Sequence, residues 1–292
     1  MAPFIPERAD VYSVRAILAH CKLPNELILT ILDHARYWVE RVESRVGYKM
    51  LFDEEFTRSY NAAVSYLAAN AIPPGDPTDA ETPKLKEVEF LVVSHDQAWT
   101  TENTKGTFQT SSWFEVSIVR PLDPAPLHRG DTDVFRSHSF LEDQNGLGQS
   151  IDKVLEDVLQ SRRMQLVPRP SSAQEQQRLH CPEMIYTTGS KPEPPTEQEV
   201  QVAREGEYAW YLQGNEVGRG TSLFDGEMIR RYTIVWSSDS NPRWVGNDGS
   251  GQGKGFVDAL REGDCILVWA RAKRRGWENH VHGLRITTRT II

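Results

Sequence analysis

Residues 263–291, GDCILVWARAKRRGWENHVHGLRITTRTI, decide the fold class. Cys265 to Ala270 is apolar throughout, which suits a strand buried on both faces, central in a sheet and not at its edge. A basic stretch, Arg271, Lys273, Arg274 and Arg275, then joins it to a second run, HVHGLRITTRTI (280–291), rich in the β-branched residues that pack well on a pleated surface. The same signature recurs in KEVEFLVVS (86–94), SWFEVSIVR (112–120), EYAWYLQ (207–213) and RRYTIVWS (230–237). Phe114, Val116 and Ile118 alternate with Trp113, Glu115 and Ser117, and Tyr232, Ile234 and Trp236 alternate likewise, so each strand has one buried face. No regular strand–helix alternation separates these runs, which favours antiparallel packing over a doubly wound sheet.

The amino-terminal residues have a different period. In LPNELILTILDHARYWVER (23–41), Leu27, Ile28, Ile31, Leu32, Ala35, Trp38 and Val39 recur at three-to-four spacing, behind a proline suited to a first helical turn. A shorter helix over 10–19 places Val14 with Leu18, and Phe52, Phe56, Tyr60, Ala63 and Leu67 predict a third helix. IPPGDPTDAETP (72–83), with four prolines, reads as a connection. The expected fold is therefore α+β and mainly β: a helical region over 1–75, then an antiparallel β-sandwich of jelly-roll-like character over 76–292. An insertion around 141–203 carries one helix over 150–159 and proline-rich loops.

Composition bounds the function. The 292-residue chain carries a formal charge of −8, which argues against a surface built for nucleic acid. Cys21, Cys181 and Cys265 are odd in number and form no CxxC pair, and no apolar run reaches membrane-spanning length, so a cytoplasmic or nuclear location is expected.

RWVGNDGSGQGKG (243–255) is glycine-rich, but Asp248 stands where a phosphate-binding loop needs glycine and Gly255 where it needs Ser or Thr. It reads as a mobile hairpin or a ligand-rim loop. His280 and His282 share one side of a strand, yet two imidazoles are only half of a zinc site, so neither metal nor cofactor is expected. No G-x-S-x-G motif is present, His180 and Cys181 point to opposite sides of an extended chain, and no catalytic residue is assigned. The expected function is a non-enzymatic binding module for carbohydrate or peptide, with Trp244, Asn247, Asp248, Trp277 and Asn279 on ligand-facing loops. The basic patch of Arg271, Lys273, Arg274 and Arg275 offers an anion-binding alternative or a plain hairpin tip. Two further alternatives are an enzyme with a novel or degenerate site near the glycine-rich loop, among His180, His280 and His282, and a structural or oligomeric role.

Gly263, Asp264, Trp269, Ala270, Arg271, Ala272, Gly276, Trp277, Asn279 and Val281 resemble the carboxy-terminal signature of a largely uncharacterised family of fungal cytosolic proteins. That resemblance implies a shared β domain and no particular chemistry. Leu23, Pro24, Glu26, Leu27, Ile28, Ile31 and Leu32 resemble the opening of an F-box. This second resemblance implies a partner, the adaptor protein of a ubiquitin ligase, met by Leu27, Ile31 and Trp38.

Overall fold

The computed structural model describes residues 4–52, 61–72, 83–99, 104–122, 159–161, 163–170, 208–218, 228–273 and 277–292. Two helices open the chain, α1 (Arg8–His20) and α2 (Asn25–His34). They form a hairpin that buries Val11, Ile28 and Leu32 with Val14 and Leu18, and seats this small core on Val39 and Ile291 of the sheet behind it. The helix expected to run on through Trp38 stops at His34. Arg36 takes φ 52°, the Tyr37 amide donates back to the Leu32 carbonyl, and the next three side chains, Tyr37, Trp38 and Val39, are aromatic or β-branched.

From there the named elements are strands: β1 (Val39–Phe52), β2 (Asn61–Asn70), β3 (Lys84–His95), β4 (Ser112–Pro121), β5 (Met164–Leu166), β6 (Ala209–Gly214), β7 (Arg230–Ser237) and β8 (Trp244–Val245), with described residues 159–161 helical. A one-turn helix, α3 (Phe256–Ala259), precedes β9 (Cys265–Lys273) and β10 (Glu278–Ile291). The third helix expected over 52–67 is therefore replaced by the end of β1 and most of β2, residues 53–60 lying outside the described residues. Val64 to Ala69 are all buried, so β2 reads as a continuous apolar run in which helix and strand cannot be told apart by period. Of the helix expected over 150–159 only Leu159 is described, and the rest of the 141–203 insertion is described only at 160–161 and 163–170.

The first sheet has the order β1-β10-β3-β7-β8 and the second β2-β9-β4-β5, with β6 also paired to β4; every pairing is antiparallel. As the apolar run 265–270 implies, β9 is central, between β2 and β4. Between the sheets lies one core, in which Phe256 packs edge-on to Phe90, Trp210 and Trp236 at centroid distances of 6.2, 5.1 and 5.0 Å.

The glycine-rich segment is not a mobile hairpin but a packed side wall. The Gly251 amide donates to the Leu212 carbonyl, while its own carbonyl accepts from the indoles of Trp236 and Trp244. A Cβ on Gly251 would lie 1.8 Å from the Tyr211 carbonyl oxygen, so glycine there permits backbone to approach backbone. This accounts for the glycines without a phosphate.

Candidate functional site

The five residues expected to face a ligand are not brought together. Trp244 pairs with Trp236, which pairs with Val88, whereas Asn279 precedes His280, which pairs with His95. Seven residues of β3 separate these levels, roughly 23 Å of strand. Trp244 is 45% exposed and Asp248 is exposed, but Trp277 is buried. Asn247 is occupied by Gln213 and by the Gly249 amide. Asn279 is fully buried, donating to the carbonyls of Trp113 and Arg271 and accepting from Asn215. Trp277 and Asn279 are thus interior residues.

The basic patch is likewise divided. Arg271 turns onto the second sheet, 5.9 Å from the centroid of the Trp113 ring and 3.6 Å from the Glu115 carboxylate. The Lys273 side chain, Arg274 and Arg275 lie outside the described residues, as does His180. On α2, Leu27 and Ile31 are exposed, but Trp38 is 2% exposed, with its indole donating to Asp33. Trp38 is therefore withdrawn from any partner-binding surface.

What the fold does assemble is on the outer face of the first sheet. Two irregularities coincide there. Gly47 and Tyr48 of β1 sit opposite the single residue His282, and His282 is itself an extra residue between the pairs Val281↔Ser94 and Gly283↔Val93 with β3. Bulges re-aim side chains, and this double bulge places Tyr48 over His280 and His282, with ring centroids 5.9 and 5.3 Å away. His95 comes up from β3 beneath them, stacked on His280 at 4.4 Å and tilted against His282 at 5.2 Å.

Glu278 accepts from His280 Nε2 at 2.7 Å, because a carboxylate only accepts, and His280 Nδ1 shares a hydrogen bond of 2.7 Å with the Tyr48 hydroxyl. His95 Nδ1 meets the Asp96 carbonyl at 2.6 Å and is the donor there. The His282 Nε2 atom is buried without a hydrogen-bond partner among the described residues.

The chain Glu278–His280–Tyr48 has the outline of a carboxylate–imidazole–hydroxyl relay. Burial, and then the Glu278 charge, hold the Tyr48 phenol above its ordinary pKa, so the hydroxyl stays protonated. Burial lowers His282, and pulls His95 down to about 4. Among the described residues no three His, Cys, Asp or Glu side chains are placed to hold a metal ion, and His95 and His280 stack face to face instead of converging. The arrangement offers fixed donors and acceptors around an exposed aromatic ring.

No protein-family model and no curated protein sequence matches the chain. A solved structure of the metal-free form of lectin I-B4 from Griffonia simplicifolia is similar at 9% identity and a TM-score of 0.28, over 86% of this chain and 92% of that one. That likeness assigns no ligand, metal or residue role here. Among the described residues no helix is long and apolar enough to cross a membrane.

Tyr48, His95 and Glu278 were not identified from the sequence. One signal was there in Gly283, a glycine inside the strand-like run 280–291 and a mark of a bulge; Gly47 carries the same meaning only once 39–52 is a strand.

The imidazoles make stability depend on pH. His95 titrates at about 4 in the fold against 6.5 ordinarily, so between these values the unfolded chain binds a proton that the native chain does not. The contribution is complete above pH 6.5 and lost as pH falls toward 4, up to about 3 kcal/mol at 1.36 kcal/mol per unit. His282 acts in the same direction, while Asp96, raised by burial, opposes it at the acid end. Thermal melts from pH 7.5 to 4.5 should show a steeper decline for the wild type than for His95→Asn; parallel curves would contradict this.

Proposed function

We propose that the chain is a non-enzymatic binding module whose ligand, a carbohydrate, meets the outer face of the first sheet at Tyr48, His280, His282 and Glu278. The observation that carries this reading is Tyr48 itself: 61% exposed, yet fixed through its hydroxyl to His280 at the crest of a double bulge. A surface tyrosine held in one orientation gives a sugar ring an aromatic face, while the phenol oxygen and the partly exposed Glu278 carboxylate accept from its hydroxyls. Such a set loses little side-chain entropy on binding, because its geometry is set before the ligand arrives. The test is binding to arrayed glycans, with arrayed peptides alongside, by wild type, Tyr48→Ala and Trp244→Ala. Glycan binding that falls at least tenfold in Tyr48→Ala and persists in Trp244→Ala is expected. Binding indifferent to Tyr48, or confined to peptides, would contradict the reading.

In a second reading the helical hairpin recruits the adaptor of a ubiquitin ligase. Its support is the exposure of Leu27 and Ile31, 51% and 43%, on the side of α2 adjoining the buried Ile28 and Leu32. Co-purification of an adaptor that a Leu27→Asp/Ile31→Asp variant loses is the expected result; a preparation without adaptor would contradict it.

A further inference from the structure

Among the described residues β1 is the outermost strand of the first sheet. It is 14 residues long and free of proline, and its outward side chains include Val42 at 50% and Val46 at 90% exposure. A long edge with exposed apolar side chains is a template for a further strand. The bulge after Val46 bends the second half away, leaving the first half, VERVESRV (39–46), as the straight stretch.

We propose that β1 pairs antiparallel with β1 of a second copy of this chain, about a two-fold axis at Ser44. The charges select this partner and this register. A two-fold axis on an antiparallel pair must pass through a residue and its own copy, since residues whose amides point outward must meet others of the same kind. An axis at Glu43 sets Glu43 against Glu43 and Arg41 against Arg45, and an axis at Arg45 sets Arg45 against Arg45; both are repulsive. An axis at Val42 leaves Val46, the most exposed apolar side chain of the strand, outside the central pairs. An axis at Val46 runs through the bulge. With the axis at Ser44, each copy sets Val42 opposite Val46 and Glu43 opposite Arg45, so two apolar pairs lie on the outer face and two opposite-charge pairs on the other.

The existing contacts are compatible with this pairing. Arg45 donates to the Tyr66 carbonyl and lies over the Tyr66 ring at 4.9 Å, and Glu43 pairs with Arg41 at 3.2 Å. Both charges are thus held on one side of the strand, where the oppositely charged residue of the other copy would stand. The joined edges would make one sheet spanning both copies, with both Tyr48 clusters on a continuous outer face. The inference stands independently of the ligand reading.

The test is molar mass by light scattering and sedimentation over a concentration series, with the full chain. Wild type should reach twice the chain mass. Val46→Lys and Glu43→Arg should each raise the dimer dissociation constant at least tenfold, and adding Arg45→Glu to Glu43→Arg should restore dimerisation. Val46 is exposed and Glu43 only partly buried, so circular dichroism should show both single variants folded, and they decide the matter even if the double variant does not fold. A wild type that is monomeric throughout, or a dimer that neither single variant weakens, would overturn the proposal.

Discussion

Asp264→Ala is expected to cost about 3–5 kcal/mol, the range for removing one partner of a buried ion pair. Asp264 is fully buried and binds Arg120 with both carboxylate oxygens, at 2.9 and 2.7 Å, while also accepting from the Arg261 amide at 2.8 Å. Arg120 in turn donates to the Ala259 carbonyl. One carboxylate thereby fastens β4, the turn after α3 and the start of β9, and its loss leaves a largely covered guanidinium without its counter-charge. Denaturant unfolding should show the loss, with Asp248→Ala, at an exposed position, as the neutral control. A change below about 1 kcal/mol would mean that water replaces the carboxylate.

Gly253→Ala should cost about 3–4 kcal/mol, combining backbone strain and overpacking. Gly253 has φ +60°, and a Cβ there would lie 1.9 Å from the Trp236 ring, which is itself 1% exposed among Phe90 and Phe256. The ring has no room to yield. Gly263→Ala separates the two contributions, because Gly263 has φ +83° but nothing within 4 Å of its Cβ, and should cost only about 1 kcal/mol of backbone strain. Equal losses at both positions would show that the wall around Trp236 is soft.

These two residues explain why motif-like stretches misdirect a functional reading. Gly263, Asp264, Arg271, Trp277 and Asn279 look like a signature with a purpose, and in the structure each serves the sandwich: a left-handed turn, a buried carboxylate, a guanidinium over Trp113, a covered indole and an amide bridging two carbonyls. The glycines of 246–255 serve close approach in the same way.

β4 and β7 were legible, since Phe114, Val116 and Ile118 or Tyr232, Ile234 and Trp236 alternate toward the shared core, but the expectation of one buried face fails for β4, where Trp113, Glu115 and Ser117 on the other face are buried as well. β2 was not, because both of its faces are covered and nothing alternates. β1 was not, because Val39, Val42 and Val46 fall by chance at helical spacing, and only tertiary pairing with β10 decides between the two periods. The candidate site depended on that decision. Tyr48 meets His280 only once β1 is a strand whose bulge faces that of β10, a relation across 232 residues that no local pattern carries.

The most direct measurement is a side-chain magnetic resonance titration, following the imidazole signals of His280 and His282 and the indole signal of Trp244, with a panel of mono- and disaccharides added to the intact chain. The account predicts shifts in the two imidazoles with the indole unmoved. Shifts confined to Trp244, or none in either group across the panel, would contradict it.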